Sequence, residues 1–521
     1  MTLREKILKT FSVTIREINK HGGPEVFFDQ YPVGGMYYSG TETLLDENGM
    51  EVGTALKPGT LERCKKASKN RLFVCADGCS IPGQTASIPW DCLGSGVSEE
   101  DAYNIGKVYG MQLNARGVDW GLFPAIDMYF DHSFPLLAIS DDPVHTAKVY
   151  SNFIKGVLSQ GVCTTAKHFP GLGAGLINMH FAPGQNKLSF DEWMKTYGYT
   201  YKEMFRAGTS AVMTTHVALR SYDDEYHDGF YPIATYSEKL TKDLLKGELG
   251  FEGVVVTDAL IMGGMATGDL IAETVQAFKA GADVLLWPPV EAAEAIEKAI
   301  LAGEIPMSRL EDALERIERM ENFRLTQLEK REYDAPDAEW VSEICKRVRR
   351  NSICLLRNEI GLIPLSAEKY QKILVVDATD DSDQGSSEML KQALLKKGVE
   401  AHVERTIYDD PSRVCWQSDT DELQAKYDLV IFNLNAGYIG TWGDPFMLIW
   451  NSHLFDKSKK IIVNYGSPYF ATDYFPEDPT YIEAYGKPTQ LVIDTIVDGL
   501  FGDVEFKGTA IIQSDCGIRR A

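Results

Sequence analysis

The chain lacks any uninterrupted apolar run of about 18 residues, the length that a membrane-spanning helix needs. Its first residues, Met1-Thr2-Leu3-Arg4-Glu5-Lys6, lack the apolar core of a secretory signal. Basic charge is scarce: 52 Lys and Arg face 75 Asp and Glu, for a formal net charge of −23. That balance argues against nucleic acid, whose phosphates demand clustered Lys and Arg. Cysteine is sparse and odd in number, nine in 521 residues, which fits reduced thiols better than a disulfide framework. Cys75 and Cys79 come closest to a metal pair, but no second pair follows, so no structural metal is expected. These absences lead to the expectation of a cytoplasmic protein with no membrane or nucleic-acid partner.

What remains is 44% hydrophobic and 24% charged, enough to bury sizeable cores. A chain of 521 residues is too long for one ordinary domain. From about residue 30 to 290 one unit recurs: a short apolar run, a polar stop, a loop and an amphipathic stretch. The runs are 33–38, 72–76, 120–126, 162–166, 211–215, 254–257 and 284–287. Strands alternating with helices at this spacing predict βα units around a parallel sheet. Seven runs where a closed barrel has eight favour a (β/α)8 TIM-type barrel over 1–326, with one strand unplaced. Ser308-Arg309-Leu310-Glu311 has capping-box spacing and opens a helix to Phe323 that closes this domain. The charged stretch 327–345, with Pro336, reads as a linker. Beyond it, runs at 353–356, 373–376, 429–432 and 461–463 predict a smaller α/β sandwich domain over 346–521. That domain has no GxGxxG after a strand, so no dinucleotide site is expected.

Several barrel runs stop on an ionisable residue, and the C-terminal rim of a barrel is where catalytic groups sit. Val254 to Thr257 ends on Asp258, followed by Gly263 and Gly264, which allow a ligand close backbone approach. Asp258 is either a helix cap or a nucleophile placed beneath an anomeric carbon. His180 lies past the Gly171-Leu172-Gly173 turn, among Ile177, Met179 and Phe181. It is either a packed core residue or, with a pKa near ~6.5, an acid/base for a leaving group. Lys167 and His168 read as donors to sugar hydroxyls or as solvated strand ends; Asp77 and Asp127 read as hydroxyl acceptors or caps.

The ordered set Asp77, Phe123-Pro124-Ala125-Ile126-Asp127, Asp141-Asp142-Pro143, Lys167-His168-Phe169-Pro170-Gly171, Met213 to His216 and Gly250 to Asp258 resembles glycoside hydrolase family 3. It is most similar to the β-N-acetylglucosaminidase branch, and Gly466-Ser467-Pro468-Tyr469 and Ala484-Tyr485 resemble the second domain of two-domain members. The resemblance implies a retaining β-glycosidase acting on a terminal β-linked sugar, with Asp258 as nucleophile and His180 as acid/base. It implies substrate contacts from Asp77, Asp127, Lys167, His168, Met213 and His216, a carbohydrate partner, and no cofactor.

The chain also departs from that pattern. Asn178 stands where the family has the Asp that partners the catalytic His. Asp77-Gly78-Cys79 and Leu137-Ala138-Ile139-Ser140 each lack an Arg that the family places near substrate. These changes imply a shifted specificity or a weak enzyme and keep open a sugar-binding homologue that lost turnover. A neutral His as acid/base, which unlike Glu does not repel phosphate, leaves a β-glycoside phosphorylase as the other alternative.

Overall fold

The computed structural model describes residues 1–38, 44–45, 51–52, 59–77, 88–130, 138–226, 229–265, 268–330, 337–379, 383, 385–404, 417–435 and 452–512. The described chain divides into two compact units.

The first unit, 1–87, 102–138 and 143–341, is built on parallel strands. In chain order these are β1 (Phe11–Val13), β2 (Gly35–Tyr37), β3 (Phe73–Ala76), β4 (Trp120–Gly121), β5 (Thr165–Phe169), β6 (Ala211–Thr214), β7 (Val254–Thr257) and β8 (Leu285–Leu286). Neighbours in sequence pair in register from β1 to β4 and from β5 to β7. Parallel bridges Trp120↔Cys163 and Val256↔Val284 join the two arcs, and Phe11↔Leu285 closes the ring. This is the closed eight-stranded barrel. The strand that the sequence left unplaced is β1. It is only three residues long, all buried, and its run Phe11-Ser12-Val13 is too short to show a period.

Alternate residues fill the lumen. Tyr37, Phe73, Cys75, Trp120, Leu122, Cys163, Ala211, Met213, Val254, Val256, Val284 and Leu286 form one buried cluster with Ile317 and Met320. The last two come from the helix Met307–Lys330, which lays Ile317, Met320 and Phe323 against the lumen. It starts before the expected cap and runs to Lys330, and a further helix spans Ala338–Asn351. Much of the stretch read as a linker, 327–345, is therefore helical.

Two strands differ from their expected runs in a way that matters. Trp120 to Ile126 is a regular strand at Trp120–Gly121, is interrupted at Pro124, which has no N–H to offer a ladder, and pairs again with β5 at the Ala125↔Lys167 bridge. By contrast β5 continues past Ala166 through Lys167 and His168 to Phe169, so both ionisable residues belong to the strand itself.

A buried carboxylate pins the N-terminal half of β7. Asp283 Oδ2 accepts from Val255 N at 2.8 Å, while Oδ1 takes Lys246 Nζ at 2.8 Å and the Arg309 guanidinium. Asp283 is fully buried.

The second unit, 88–101, 139–142 and 342–521, has a six-stranded sheet. Its strands are β9 (Cys354–Asn358), β10 (Lys372–Thr379), β11 (Glu400–Glu404), β12 (Leu429–Asn435), β13 (Lys460–Asn464) and β14 (Thr480–Glu483), in the spatial order β9-β14-β13-β12-β10-β11. All pairs are parallel except β9 with β14. Odd and even positions of β10 feed two cores. Ile373 and Val375 pack with Leu390, Ile493 and Ile496, whereas Leu374 and Val376 pack with Phe432, Phe470 and Phe475. Apolar cores on both faces make it an α/β sandwich. The sequence missed β11 and β14, whose runs Glu400-Ala401-His402-Val403-Glu404 and Thr480-Tyr481-Ile482-Glu483 carry charges at their ends.

Removing Asp283 takes a fully buried carboxylate from Lys246 and Arg309, leaves them only Asp312 as an acidic partner, and unpins β7. Asp283→Ala should destabilise the barrel by about 3–5 kcal/mol, read as a lowered midpoint in urea unfolding.

Candidate active site

Asp258 follows β7 directly and is 8% exposed. Its Oδ1 accepts from Ala259 N at 2.8 Å and its Oδ2 from Thr215 Oγ1 at 2.9 Å, so both oxygens are held. Burial pushes its carboxyl up, but electrostatic interactions with His168, His216 and Lys167 and the Ala259 N–H outweigh that and hold it below the usual carboxylate value. It is a buried, oriented and ionised carboxylate.

Around the rim, two further carboxylates partner β5. Lys167 is 3% exposed and its Nζ donates to Asp77 Oδ1 at 3.1 Å. His168 Nδ1 lies 2.7 Å from Asp127 Oδ2; a carboxylate only accepts, so Nδ1 carries the proton. Asp127 Oδ1 accepts from the backbone N–H of Leu172 at 2.8 Å and of His168 at 3.3 Å. With both oxygens engaged by protein, Asp127 orients β5 and its following loop rather than standing open to a sugar. The Lys167–His168 and Phe169–Pro170 peptides are both cis.

Two residues read as substrate contacts lie behind this surface. Met213 is 2% exposed inside the lumen cluster, because its place on β6 gives it the inward parity of Ala211. It is a packing residue. His216 is fully buried, with Nδ1 at 2.9 Å from Thr235 Oγ1 and Nε2 at 3.1 Å from Ala259 O. A carbonyl only accepts, so Nε2 carries the proton and Nδ1 accepts from Thr235. Burial lowers the His216 pKa, in keeping with this neutral form. It braces the Ala259 peptide, whose N–H holds Asp258.

His180 is exposed, and its orientation comes from Asn178. Asn178 Oδ1 lies 3.0 Å from His180 N and 2.8 Å from His180 Nδ1. The backbone N–H fixes which amide atom faces the histidine. It must be the oxygen, so Nδ1 carries a proton. The loop carrying His180 is tied to the turn after Asp258, since Gly263 N donates to His180 O at 2.9 Å and Gly264 N to Met179 O at 3.0 Å. Gly263 and Gly264 thus give close approach to this loop, not to a ligand. A Cβ on Gly264 would sit 2.5 Å from Met179 O and 2.7 Å from His216 Cβ. Thr215 had no sequence signal: its hydroxyl type is ordinary, and only the register of β6 against β7 brings it to Asp258.

The departures at Gly78, Cys79 and Leu137 fall outside the described residues. Ser140, the last of its segment, is buried and donates to Ile511 O at 3.0 Å within the second unit. Among the described residues one group has metal-ligand geometry, Glu17, His21 and Glu291. The Lys20 ammonium, 3.2 Å from Glu291, already supplies a cation there.

A closed barrel with a pinned carboxylate after β7 and a histidine loop after β5 can be set beside known proteins. Residues 79–320 match the glycosyl hydrolase family 3 N-terminal domain. The match spans most of the barrel, which therefore resembles the N-terminal domain of that family. A β-N-acetylglucosaminidase/β-glucosidase of Cellulomonas fimi is 26% identical over 443 residues, covering 79% of this chain and 77% of that protein. A β-hexosaminidase of Nitrosospira multiformis is 32% identical over 197 residues, 37% of this chain and 54% of its own length, so the match spans about half of that relative. Among solved structures, a family 3 β-N-acetylglucosaminidase from Paenibacillus superposes with a TM-score of 0.78 at 21% identity, covering 98% of this chain and 99% of that one. A β-glucoside phosphorylase superposes equally well, with a TM-score of 0.78 at 22% identity over 99% and 94% of the two chains. These likenesses establish the fold. Among the described residues, no helix is long and apolar enough to cross a membrane.

Because neither a backbone carbonyl nor a buried Cβ yields easily, Gly264→Ala should push the His180 loop off the turn after Asp258. Hydrogen exchange across 174–184 should accelerate while exchange in the second unit stays unchanged.

Proposed function

We propose that this protein is a retaining β-glycosidase that removes a terminal β-linked sugar, N-acetylglucosamine being the favoured glycone. The observation that carries the reading is Asp258: a buried carboxylate kept ionised at the barrel rim by Thr215, Ala259 and surrounding positive charge. In the first step an Asp258 oxygen attacks the anomeric carbon as the glycosidic C–O bond breaks, and His180 gives a proton to the departing oxygen. In the second, His180 Nε2 takes a proton from water, which attacks the anomeric carbon and releases Asp258. Lys167 and Asp77, paired at the rim, are the groups we assign to sugar hydroxyls, with His168 held beside them by Asp127.

One feature favours a second reading, in which inorganic phosphate replaces water. The partner of His180 is the neutral amide of Asn178, which does not repel an incoming anion as a carboxylate would. Product release from an aryl β-glycoside that rises with added phosphate and yields a sugar 1-phosphate would decide for that reading.

Asp258→Asn should abolish turnover while circular dichroism and melting stay unchanged, and mass spectrometry of the parent with a slow 2-fluoro-glycoside should place the adduct on Asp258. Substantial turnover by a folded Asp258→Asn protein would overturn the assignment. Since the Asp258 carboxyl lies below its usual value, falling pH should not protonate it until below about pH 4, and the acidic limb of kcat/KM should lie there.

His180→Ala should slow glycosides with poor leaving groups far more than activated aryl glycosides, which depart without protonation. Asn178→Asp should restore a carboxylate behind the imidazole, raise the His180 pKa and speed poor leaving groups selectively. Equal losses on both substrate types in His180→Ala would show that the proton donor lies elsewhere.

A further inference from the structure

At the end of β8 the chain does something costly. Along Val284-Leu285-Leu286, alternation sends Val284 and Leu286 into the lumen, so the next residue, Trp287, should face outward. Its backbone instead adopts φ 63°, a left-handed conformation that bulky side chains rarely occupy. The turn brings the indole back over the lumen, where it packs on the buried cluster and meets Tyr37 of β2 edge-on, with centroids 5.0 Å apart. Tyr37 and Trp287 stand on opposite sides of β1, so their contact crosses the C-terminal end of the barrel interior. The indole Nε1 is buried and finds no hydrogen-bond partner among the described residues, a second cost. The residue as a whole remains partly exposed.

Trp287 also neighbours the site already described. Leu286 O accepts from Leu260 N at 3.1 Å, and Leu286 N donates to Thr257 Oγ1 at 2.9 Å, which locks the end of β8 to the strand and turn that bear Asp258. A strained backbone and an unpaired indole at one position, beside the nucleophile, mark a side chain displayed for a purpose other than packing. Leucine or methionine would cap the lumen without the unpaired N–H.

We propose that Trp287 is the floor of the sugar pocket, its aromatic face receiving the apolar C–H face of the glycone. The inference rests on the reading of the barrel mouth as a glycosidase site. It makes Trp287 a binding and specificity residue: it favours pyranosides that present an uninterrupted patch of axial C–H bonds, as the gluco configuration does, over epimers that place an axial hydroxyl against the ring.

The test is made in Asp258→Asn protein, where binding is read by calorimetry with 4-nitrophenyl N-acetyl-β-glucosaminide and 4-nitrophenyl β-glucoside. Trp287→Phe keeps an aromatic face and removes the unpaired N–H, so affinity should stay within about threefold of the parent. Trp287→Asn suits the left-handed backbone and removes the face, so the melting temperature should hold while affinity falls about tenfold or more. Equal affinities for the Phe and Asn variants would overturn the role of Trp287 and leave the nucleophile standing. Turnover persisting in Asp258→Asn would overturn the nucleophile and leave the binding comparison intact. Failure of the Asp258→Asn parent to bind either glycoside would overturn the pocket and this inference together.

Discussion

Closure of the barrel is the constraint on which the rest depends. A parallel sheet with a free edge would leave backbone groups unpaired, and pairing β1 with β8 removes that edge. Once closed, the ring gives each strand one inward and one outward face, and the inward faces supply a continuous apolar filling from Tyr37 to Leu286. That filling forces charged groups to the ends of strands, because an unpaired charge inside the lumen would be costly to desolvate. The C-terminal rim therefore collects Asp77, Asp127 and Asp258 together with Lys167 and His168 on the last turn of β5. Chemistry here is a consequence of where the barrel can tolerate charge.

The charges at that rim are arranged in a graded way. Asp127 is committed to His168 and to two backbone N–H groups, and Lys167 is held by Asp77. Among the described residues Asp258 is held by neutral donors, Thr215 and the Ala259 peptide, and feels the positive groups at longer range. A carboxylate in a direct ion pair would have to break that pair to bond with carbon. Held by two neutral hydrogen bonds in a positive field, Asp258 keeps its charge without surrendering its lone pairs, a suitable state for a nucleophile that must also leave again.

Sequence periodicity exposed seven of eight barrel strands because each is an apolar run bounded by polar stops, and it missed β1 because three residues carry no period. It read Asp258, Lys167, His168 and His180 as ionisable residues in odd places, and the fold collects the first three at the rim. What it could not read was parity and partnership. Met213 and His216 lie in the same short run as Thr215, yet one points into the lumen and the other braces the Ala259 peptide. Only the register of β6 against β7 separates these roles. Gly263 and Gly264 were correctly read as sites of close approach, but the partner was a distant loop carbonyl. Trp287 closed an apolar run and looked like more of the same, since a left-handed φ at a tryptophan leaves no trace in sequence.

The pairing of His180 with Asn178 shows how one atom can redirect a proton. A carboxylate at position 178 would hold the same tautomer, with Nδ1 protonated, and would also stabilise the imidazolium by its charge. The amide keeps the geometry and drops the charge. The imidazole stays oriented, with no carboxylate behind it to stabilise a positive charge. In the proposed mechanism the missing charge bears on the step in which a poor leaving group must be protonated. On the proposed reading such a site favours glycosides whose aglycone departs readily, so that one charge beside the histidine would select the leaving group as a pocket selects the sugar.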